Sequence, residues 1–194
     1  TFSLGSGPDG VVGYPLISVY LTGAELKVIA EIDASVSDFM TSARLYMSGL
    51  NFTYNPNRII LNKVTDVYLA SDGDEHTEIE DDKLYRVVAD LYSGRMLSSV
   101  TDISKGILSI KPKDAEGNEV TDFEDQIIYM DGKEMKAWYA IAAYSESFEE
   151  KDGVKVTPEY YETTHERKVV DDSKNLWDLV KNPNKYAVAI VGIV

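Results

Sequence analysis

The alternation of apolar and polar residues near the start of the chain predicts a strand that leads directly into a helix. Residues 16–21 alternate in the manner of a half-buried strand. Thr22 and Glu25 follow with the spacing of a capping box, in which each residue satisfies a backbone N–H of the other where a helix begins. Apolar residues then recur every three or four positions, and this period predicts a helix over 23–36.

The next part of the chain has the pattern of paired strands. Residues 45–54 alternate as a strand, and the Asn-Pro-Asn sequence at 55–57 is typical of a turn. Residues 58–70 then predict one or two partner strands, which we expect to be antiparallel because the connection is short. A polar, acidic connector at 71–82 leads to a further strand, predicted over 83–92.

The second half of the chain predicts fewer strands and more helix. A strand is expected over 107–114 and a short helix over 171–183. Residues 131–148 predict a longer helix, with Asp131 and Glu134 placed to cap its start. Its predicted inward-facing residues are Met135, Trp138, Tyr139 and Ala142. Helices and strands are interspersed with irregular connections, so the predicted fold class is α+β, a mixed sheet with packed helices.

The two ends of the chain raise a separate question. Residues 186–194 are almost all apolar, but a span of the bilayer needs ~20 such residues. They predict either a buried strand or the first turns of a membrane anchor that continues beyond Val194. The chain begins at Thr1 rather than at Met, so we expect it to be processed or to be a piece of a longer protein.

Composition and charge narrow the classes of partner. Of the 194 residues, 44% are hydrophobic and 27% charged, as in ordinary globular proteins. The formal net charge is −14, which repels polyanions and gives no basic footprint for nucleic acid. The sequence contains no cysteine, so it offers no thiol nucleophile or thiolate ligand.

Residue types that carry catalysis are scarce. Of the two histidines, His76 lies in the acidic connector and His165 in a polar stretch, and we expect both to be exposed. The oxygen-rich run at 72–82 suits calcium, although Thr77 stands where an EF-hand loop needs glycine; a solvated connector is the competing interpretation. No Walker-type or Rossmann-type glycine motif is present. The sequence therefore does not predict a self-sufficient enzyme.

Three stretches in order carry a resemblance to a known family. They are YPLISVYLTGAELKVIAE, then ARLYMSGLNFTYNPNRIILNKVTDVYL, then DDKLYRVVADLY, and together they cover about residues 10–97. Their order and spacing resemble the C-terminal domain of the 5'-nucleotidase family. The resemblance implies a two-domain parent hydrolase, in which an N-terminal metallophosphatase domain holds two divalent metal ions. The C-terminal domain of that family holds the nucleoside, largely by stacking the base between two aromatic rings.

The resemblance also implies candidate residues for binding the substrate. Tyr92, seven residues after the strand-opening tyrosine, takes the place of one stacking aromatic, and Asp90 is placed to accept a ribose hydroxyl. The family's Gly-Gly-Asp-Gly turn would follow, but the sequence here is Ser-Gly-Arg, with Arg95 in place of the acid. Arg44 occupies the position of the other stacking aromatic, and Tyr46 lies two residues later. Packing of these tyrosines within the fold is the alternative.

These observations define the expected organisation. Residues 1–110 would form the 5'-nucleotidase C-terminal-like core, whose first part, with the family's arginine motif, lies upstream of Thr1. Residues 111–194 would form an extension packed on it, as in some Gram-positive bacterial relatives. The expected function is nucleotide recognition for an exported, extracellular or cell-surface bacterial nucleotidase, with no cofactor in this segment and divalent metals upstream. The alternative is a non-catalytic surface scaffold that kept the fold and lost the pocket.

Overall fold

The computed structural model describes residues 5–36, 44–70, 76–103 and 108–193. The chain divides into two compact units. Unit 1 comprises Thr1–Leu21 and Leu84–His165, and unit 2 comprises Thr22–Lys83 and Glu166–Val194. The boundary predicted between residues 1–110 and 111–194 lies inside unit 1. That division into a core and an extension stays a prediction.

The described residues form the mixed α+β architecture that the sequence predicts. In chain order the elements are β1 Leu16–Thr22, α1 Gly23–Val36, β2 Leu50–Tyr54, β3 Val64–Leu69, β4 Thr77–Glu78, β5 Leu84–Asp90, α2 Leu91–Ile103, β6 Tyr129–Met130, β7 Lys133–Glu134, α3 Ala137–Glu146, β8 Glu150–Lys151, β9 Val154–Lys155, β10 Lys168–Val170, α4 Leu176–Val180 and α5 Lys185–Ile193.

The core of unit 1 lies where α2 packs on the sheet formed by β1 and β5. Alternate residues of β1, Ile17 and Val19, are fully buried and contact Leu91 and Phe123 in one cluster. Gly94 of α2 lies directly against this strand, and a Cβ there would overlap the Ile17 Cδ1 atom. Glycine therefore permits the close approach of the helix to the strand.

A buried ion-pair group joins the start of unit 1 to the β6–β7 hairpin. The Lys136 Nζ atom lies 2.6 Å from Glu134 and 2.7 Å from Asp9, and Glu134 also accepts the Asp9 backbone N–H at 2.8 Å. Burial favours a lower pKa for Lys136, but its hydrogen bonds to Asp9 and Glu134 outweigh this effect and raise the pKa. Lys136 therefore keeps its charge and fastens the segment around Asp9.

In unit 2, α1 packs on a sheet with strand order β10-β2-β3-β4, and the unit also contains α4 and α5. The predicted capping box is confirmed: the Thr22 backbone N–H donates to Glu25 at 2.8 Å, and the Glu25 N–H donates to the Thr22 hydroxyl. The helix spans Gly23–Val36, as predicted. Strands β2 and β3 pair antiparallel, also as predicted, and β10 adds to β2 in parallel.

The inner face of α1 also carries a buried carboxylate. Glu31 accepts the backbone N–H groups of Lys63 and Val64, at 2.8 and 2.9 Å, and the Ser35 hydroxyl at 2.6 Å. Burial raises the pKa of Glu31, and these hydrogen bonds limit that rise. Glu31 thereby fixes the chain where it enters β3.

Several predicted elements were wrong in extent or type. The strand predicted over 45–54 begins only at Leu50. The strand predicted over 83–92 ends at Asp90, where α2 begins. The described part of 107–114 forms no strand, and its Lys113 forms isolated bridges with Tyr20 and Glu119. The helix predicted over 171–183 is shorter, and α5 follows it.

The helix predicted over 131–148 begins later than expected. Asp131 does not cap it but lies in the turn of the β6–β7 hairpin with a φ of 51°, and Glu134 is a buried ion-pair partner. The helix α3 starts at Ala137, and three residues predicted to face inward, Trp138, Tyr139 and Ala142, are exposed.

The apolar tail also differs from the prediction of a buried strand, because its described residues form the helix α5. Among the residues that the structure describes, no helix is both long and apolar enough to cross a membrane. The prediction of an anchor that continues beyond Val194 is not tested by this finding.

Candidate functional site

The first candidate residues lie where β5 passes into α2, in unit 1. The Asp90 carboxylate accepts the backbone N–H of Ser93 at 2.9 Å and its hydroxyl at 2.8 Å. This is the bonding of a helix N-cap, which satisfies an otherwise unpaired N–H of the first turn. Asp90 therefore has a structural role, and each oxygen keeps further capacity to accept a hydrogen bond.

Tyr92 stands in the first turn of this capped helix. Its side chain is 53% exposed, although Leu91 beside it is buried. The Tyr14 ring lies 5.6 Å away, between centroids, with an interplanar angle of 30°. Gly5 lies against the far part of Tyr14, where a Cβ would overlap the ring. Tyr92 is thus a supported ring that still presents half of its surface to solvent.

Sequence reasoning did not identify Tyr14 as part of this site. It is separated from Tyr92 by 78 positions and lies in a glycine-rich stretch that predicts only a loop. Its backbone carbonyl accepts the N–H of Ala137, the first residue of α3. The aromatic pair is therefore held by contacts from distant parts of the chain, and no local pattern could have indicated it.

Arg95 and Gly94 lie on α2 rather than in the turn that the family pattern has at this point. The Arg95 guanidinium forms an exposed ion pair with Glu124, with 2.7 Å between nitrogen and oxygen. Gly94 is buried against Ile17. Tyr92, Asp90 and Arg95 therefore share the first turns of one helix, and the glycine serves helix packing.

The remaining candidates, Arg44 and Tyr46, lie in unit 2 on the segment that precedes β2. Both are exposed, and the Tyr46 side chain is 90% exposed. The backbone between them is fixed: the Leu45 N–H donates to the buried carboxylate of Asp33 at 2.6 Å, and Lys168 donates to the Leu45 carbonyl. Tyr46 is therefore a solvent-facing ring on an anchored backbone.

The anchor of this segment depends on a second residue pair that the sequence did not reveal. Lys168 forms an ion pair with Asp33 at 2.7 Å, and its Nζ lies 5.8 Å from the centroid of the Tyr46 ring. That distance permits a cation–π attraction. Lys168 reaches this position because β10 pairs with β2, where it stands opposite Phe52.

The two histidines differ from each other. His76 is exposed, as predicted, and its ring stacks on Tyr68 with 3.9 Å between centroids. The expectation of an exposed His165 was wrong, because its ring is half-buried and stacks on Tyr160 at 3.8 Å. Its Nε2 atom is buried and has no hydrogen-bond partner among the described residues.

Metal binding was considered for the acidic connector. Residues 71–75, which include Asp72 and Asp74, lie outside the described residues. Among the residues that are described, no group of three His, Cys, Asp or Glu side chains could hold a metal ion. Calcium binding by the connector stays a prediction.

Comparison with known proteins shows which family and which solved structures this chain is similar to. No curated protein matches the sequence. Two solved structures that resemble it are a 5'-nucleotidase precursor from Thermus thermophilus and the NAD nucleotidase from Haemophilus influenzae. The first has 18% identity and a TM-score of 0.40 over 64% of this chain and 26% of that one. The second has 20% identity and a TM-score of 0.34 over 45% of this chain and 15% of that one.

This chain therefore spans about a quarter or less of the length of those solved chains. The match to a family model is confined to one segment. Residues 11–97 match the family described as 5'-nucleotidase, C-terminal domain, and this segment contains all five candidate residues. The matched residues run from just before β1 to within α2 and make up less than half of the chain, so this part of the chain is similar to the 5'-nucleotidase C-terminal domain family.

Proposed function

We propose that this chain is the substrate-recognition part of a 5'-nucleotidase-type metallophosphoesterase, and that it binds the nucleoside portion of a nucleotide. The observation that carries the proposal is Tyr92, a half-exposed ring on a capped helix, within the segment that matches the family. A tyrosine ring of this kind offers a flat surface to any base, and one base–aromatic stack is worth ~1–3 kcal/mol.

The other candidates are proposed individually, each from its own surroundings. In unit 2, Tyr46 offers an exposed ring whose neighbour Leu45 has an anchored backbone. Arg44 offers a guanidinium plane that can stack on a base. Asp90 would accept a ribose hydroxyl in addition to its two bonds from Ser93, and Arg95 would supply N–H donors for polar groups of the ligand. Each side chain can be tested alone.

Hydrolysis is assigned to a domain upstream of this chain. There, divalent metal ions would activate water and neutralise the phosphate group. That arrangement agrees with a net charge of −14 here, because this chain need only recognise base and sugar. We further propose that the parent protein is a bacterial hydrolase exported to the cell surface or beyond, where a C-terminal anchor would tether it.

The test measures the melting temperature of the chain with a panel of nucleosides and nucleotides. A ligand at 100 times its dissociation constant stabilises the folded state by ~2.7 kcal/mol. For a chain of this length we expect a rise of ~5–10 °C with at least one base. Tyr92→Ala should lower that rise by about a third to nine tenths, because it removes a stack worth ~1–3 kcal/mol, and Tyr92→Phe, which keeps the ring, should retain most of it.

A scaffold function is the second candidate, and specific observations favour it. The residues after Tyr92 continue α2 instead of forming the family's glycine-rich turn, and Asp90 is already engaged as a helix cap. If no ligand at millimolar concentration shifts the melting temperature, the assay is repeated on the longer natural protein. A response there would show that upstream residues complete the pocket, and a second negative result would favour the scaffold.

A further inference from the structure

Five aromatic rings of unit 1 form an unbroken cluster at the end of α3 and in the residues that follow it. Tyr144 lies 5.0 Å from Phe148 and 6.5 Å from Tyr161, between ring centroids. Tyr161 lies 5.1 Å from Tyr160, which stacks on His165. A hydrogen bond of 2.6 Å joins the hydroxyls of Tyr144 and Tyr161. The rings of this tyrosine cluster are therefore held in a defined arrangement.

This cluster lies at the surface rather than in a core. Tyr144, Tyr160 and Tyr161 are 55%, 40% and 45% exposed. Helix α3 has no buried residue, although eight of its ten residues are apolar. Trp138 and Ile141 are exposed on the same side as Tyr144, because residues three apart share a helix face. A helix of this composition normally buries a face against a partner.

The charges around the cluster indicate what kind of partner fits. Glu146, Glu159 and Glu162 are next to or near the rings in the chain, are exposed, and form no ion pair within the described part of the chain. Residues 137–165 contain six carboxylates and two lysines. A wholly apolar partner would strip water from these carboxylates without replacing their hydrogen bonds.

A guanidinium group satisfies both features of the surface. Its planar cation stacks on an aromatic face, and its fork of N–H donors pairs with a carboxylate. We propose that the tyrosine cluster and the exposed face of α3 form a docking surface for an arginine-rich segment of a partner protein. This surface contains none of the candidate nucleoside-binding residues, and the proposal does not depend on them.

The test uses the whole chain and a fluorescently labelled decaarginine peptide, with binding followed by anisotropy at physiological salt. The double variant Tyr144→Ala/Tyr161→Ala removes two rings and should weaken binding about tenfold. The matched variant Tyr144→Phe/Tyr161→Phe keeps both rings and loses only the hydroxyl bond, so its affinity should stay within about twofold. Circular dichroism checks that each variant has the secondary structure of the parent.

A second comparison separates local recognition from attraction by the overall negative charge. Glu146→Gln, Glu159→Gln and Glu162→Gln together should weaken binding about tenfold, because they remove the carboxylates beside the rings. A control variant with the same change in net charge should weaken it about twofold or less, because it changes exposed carboxylates of unit 1 outside residues 137–165. The control combines Glu116→Gln, Asp125→Asn and Asp131→Asn.

Three results would overturn the proposal. If the two charge variants weaken peptide binding equally, the peptide binds through the net charge of the chain alone. Binding of the parent to a neutral oligosaccharide is measured as well. If Tyr144→Ala/Tyr161→Ala loses that binding but keeps its affinity for the peptide, the surface binds sugars. Self-association of the parent that is lost in the same double variant would assign it to a second copy of the chain.

Discussion

Replacement of Lys136 by methionine should strongly destabilise unit 1. Methionine has a similar length but no charge, so the Glu134 carboxylate, which is 2% exposed, would remain buried without its cation. Breaking a buried ion pair on one side costs ~3–5 kcal/mol. The Asp9 carboxylate is 31% exposed and can regain water, so we expect the lower end, about 3 kcal/mol.

Thermal melting measures this loss directly. For a chain of this length, about 3 kcal/mol corresponds to a drop of ~6–12 °C in melting temperature. The matched control is Lys151→Met, since Lys151 pairs with Glu149 at 3.7 Å and both side chains are largely exposed. An exposed pair contributes less than about 1 kcal/mol, so the control should melt within ~3 °C of the parent.

The dependence on pH provides an independent check of the cause. In the parent, the hydrogen bond from Lys136 lowers the pKa of Asp9. The stability from this shift is fully present near neutral pH and is lost as pH falls through the lowered pKa, whereas Lys136→Met lacks that hydrogen bond at every pH. The gap between the two proteins should therefore narrow in acid. A pH-independent gap would refute the reasoning.

Two further substitutions test contacts in unit 2. Lys168→Met should release the Leu45 carbonyl and leave Asp33 without its cation. Hydrogen exchange of the Leu45 amide should therefore accelerate at least about tenfold. An unchanged exchange rate would contradict the proposed anchor. Arg58→Met should deprive carbonyls such as those of Asp178 and Lys181 of a buried donor, and limited trypsin digestion should then cleave within 171–184 sooner than in the parent; equal digestion would contradict this.

The elements that the sequence predicted well depend on local signals. The helix α1 was predicted over its whole length because a capping box and an apolar period occupy the same short stretch. The pairing of β2 with β3 followed from the turn between them. In both cases neighbouring residues contain the information, so tertiary contacts did not alter the result.

The main errors came from local signals that admit two interpretations. Asp131 and Gly132 were interpreted as the start of a helix, but both have positive φ, 51° and 75°, and form the turn of a hairpin. An Asp-Gly pair is a strong hairpin signal. The same pair recurs at Asp152 and Gly153, between β8 and β9. The helix α2 was missed because Leu91 and Tyr92 continue a strand-like alternation.

The candidate site shows why residue roles are harder to predict than elements. Tyr92 and Tyr46 could be named from the family pattern, but the residues that support them lie far away in the chain. Tyr14 reaches Tyr92 through the packing of unit 1, and Lys168 reaches the segment of Tyr46 through a strand that no sequence pattern predicted. A ring that binds ligand must be exposed and yet fixed. Exposure is a property of one residue, whereas fixation here depends largely on distant residues: Tyr14 lies 78 positions from Tyr92, and Lys168 lies 123 positions from Leu45. Only the folded chain therefore shows that the exposed Tyr92 ring and the backbone beside the exposed Tyr46 are held in place.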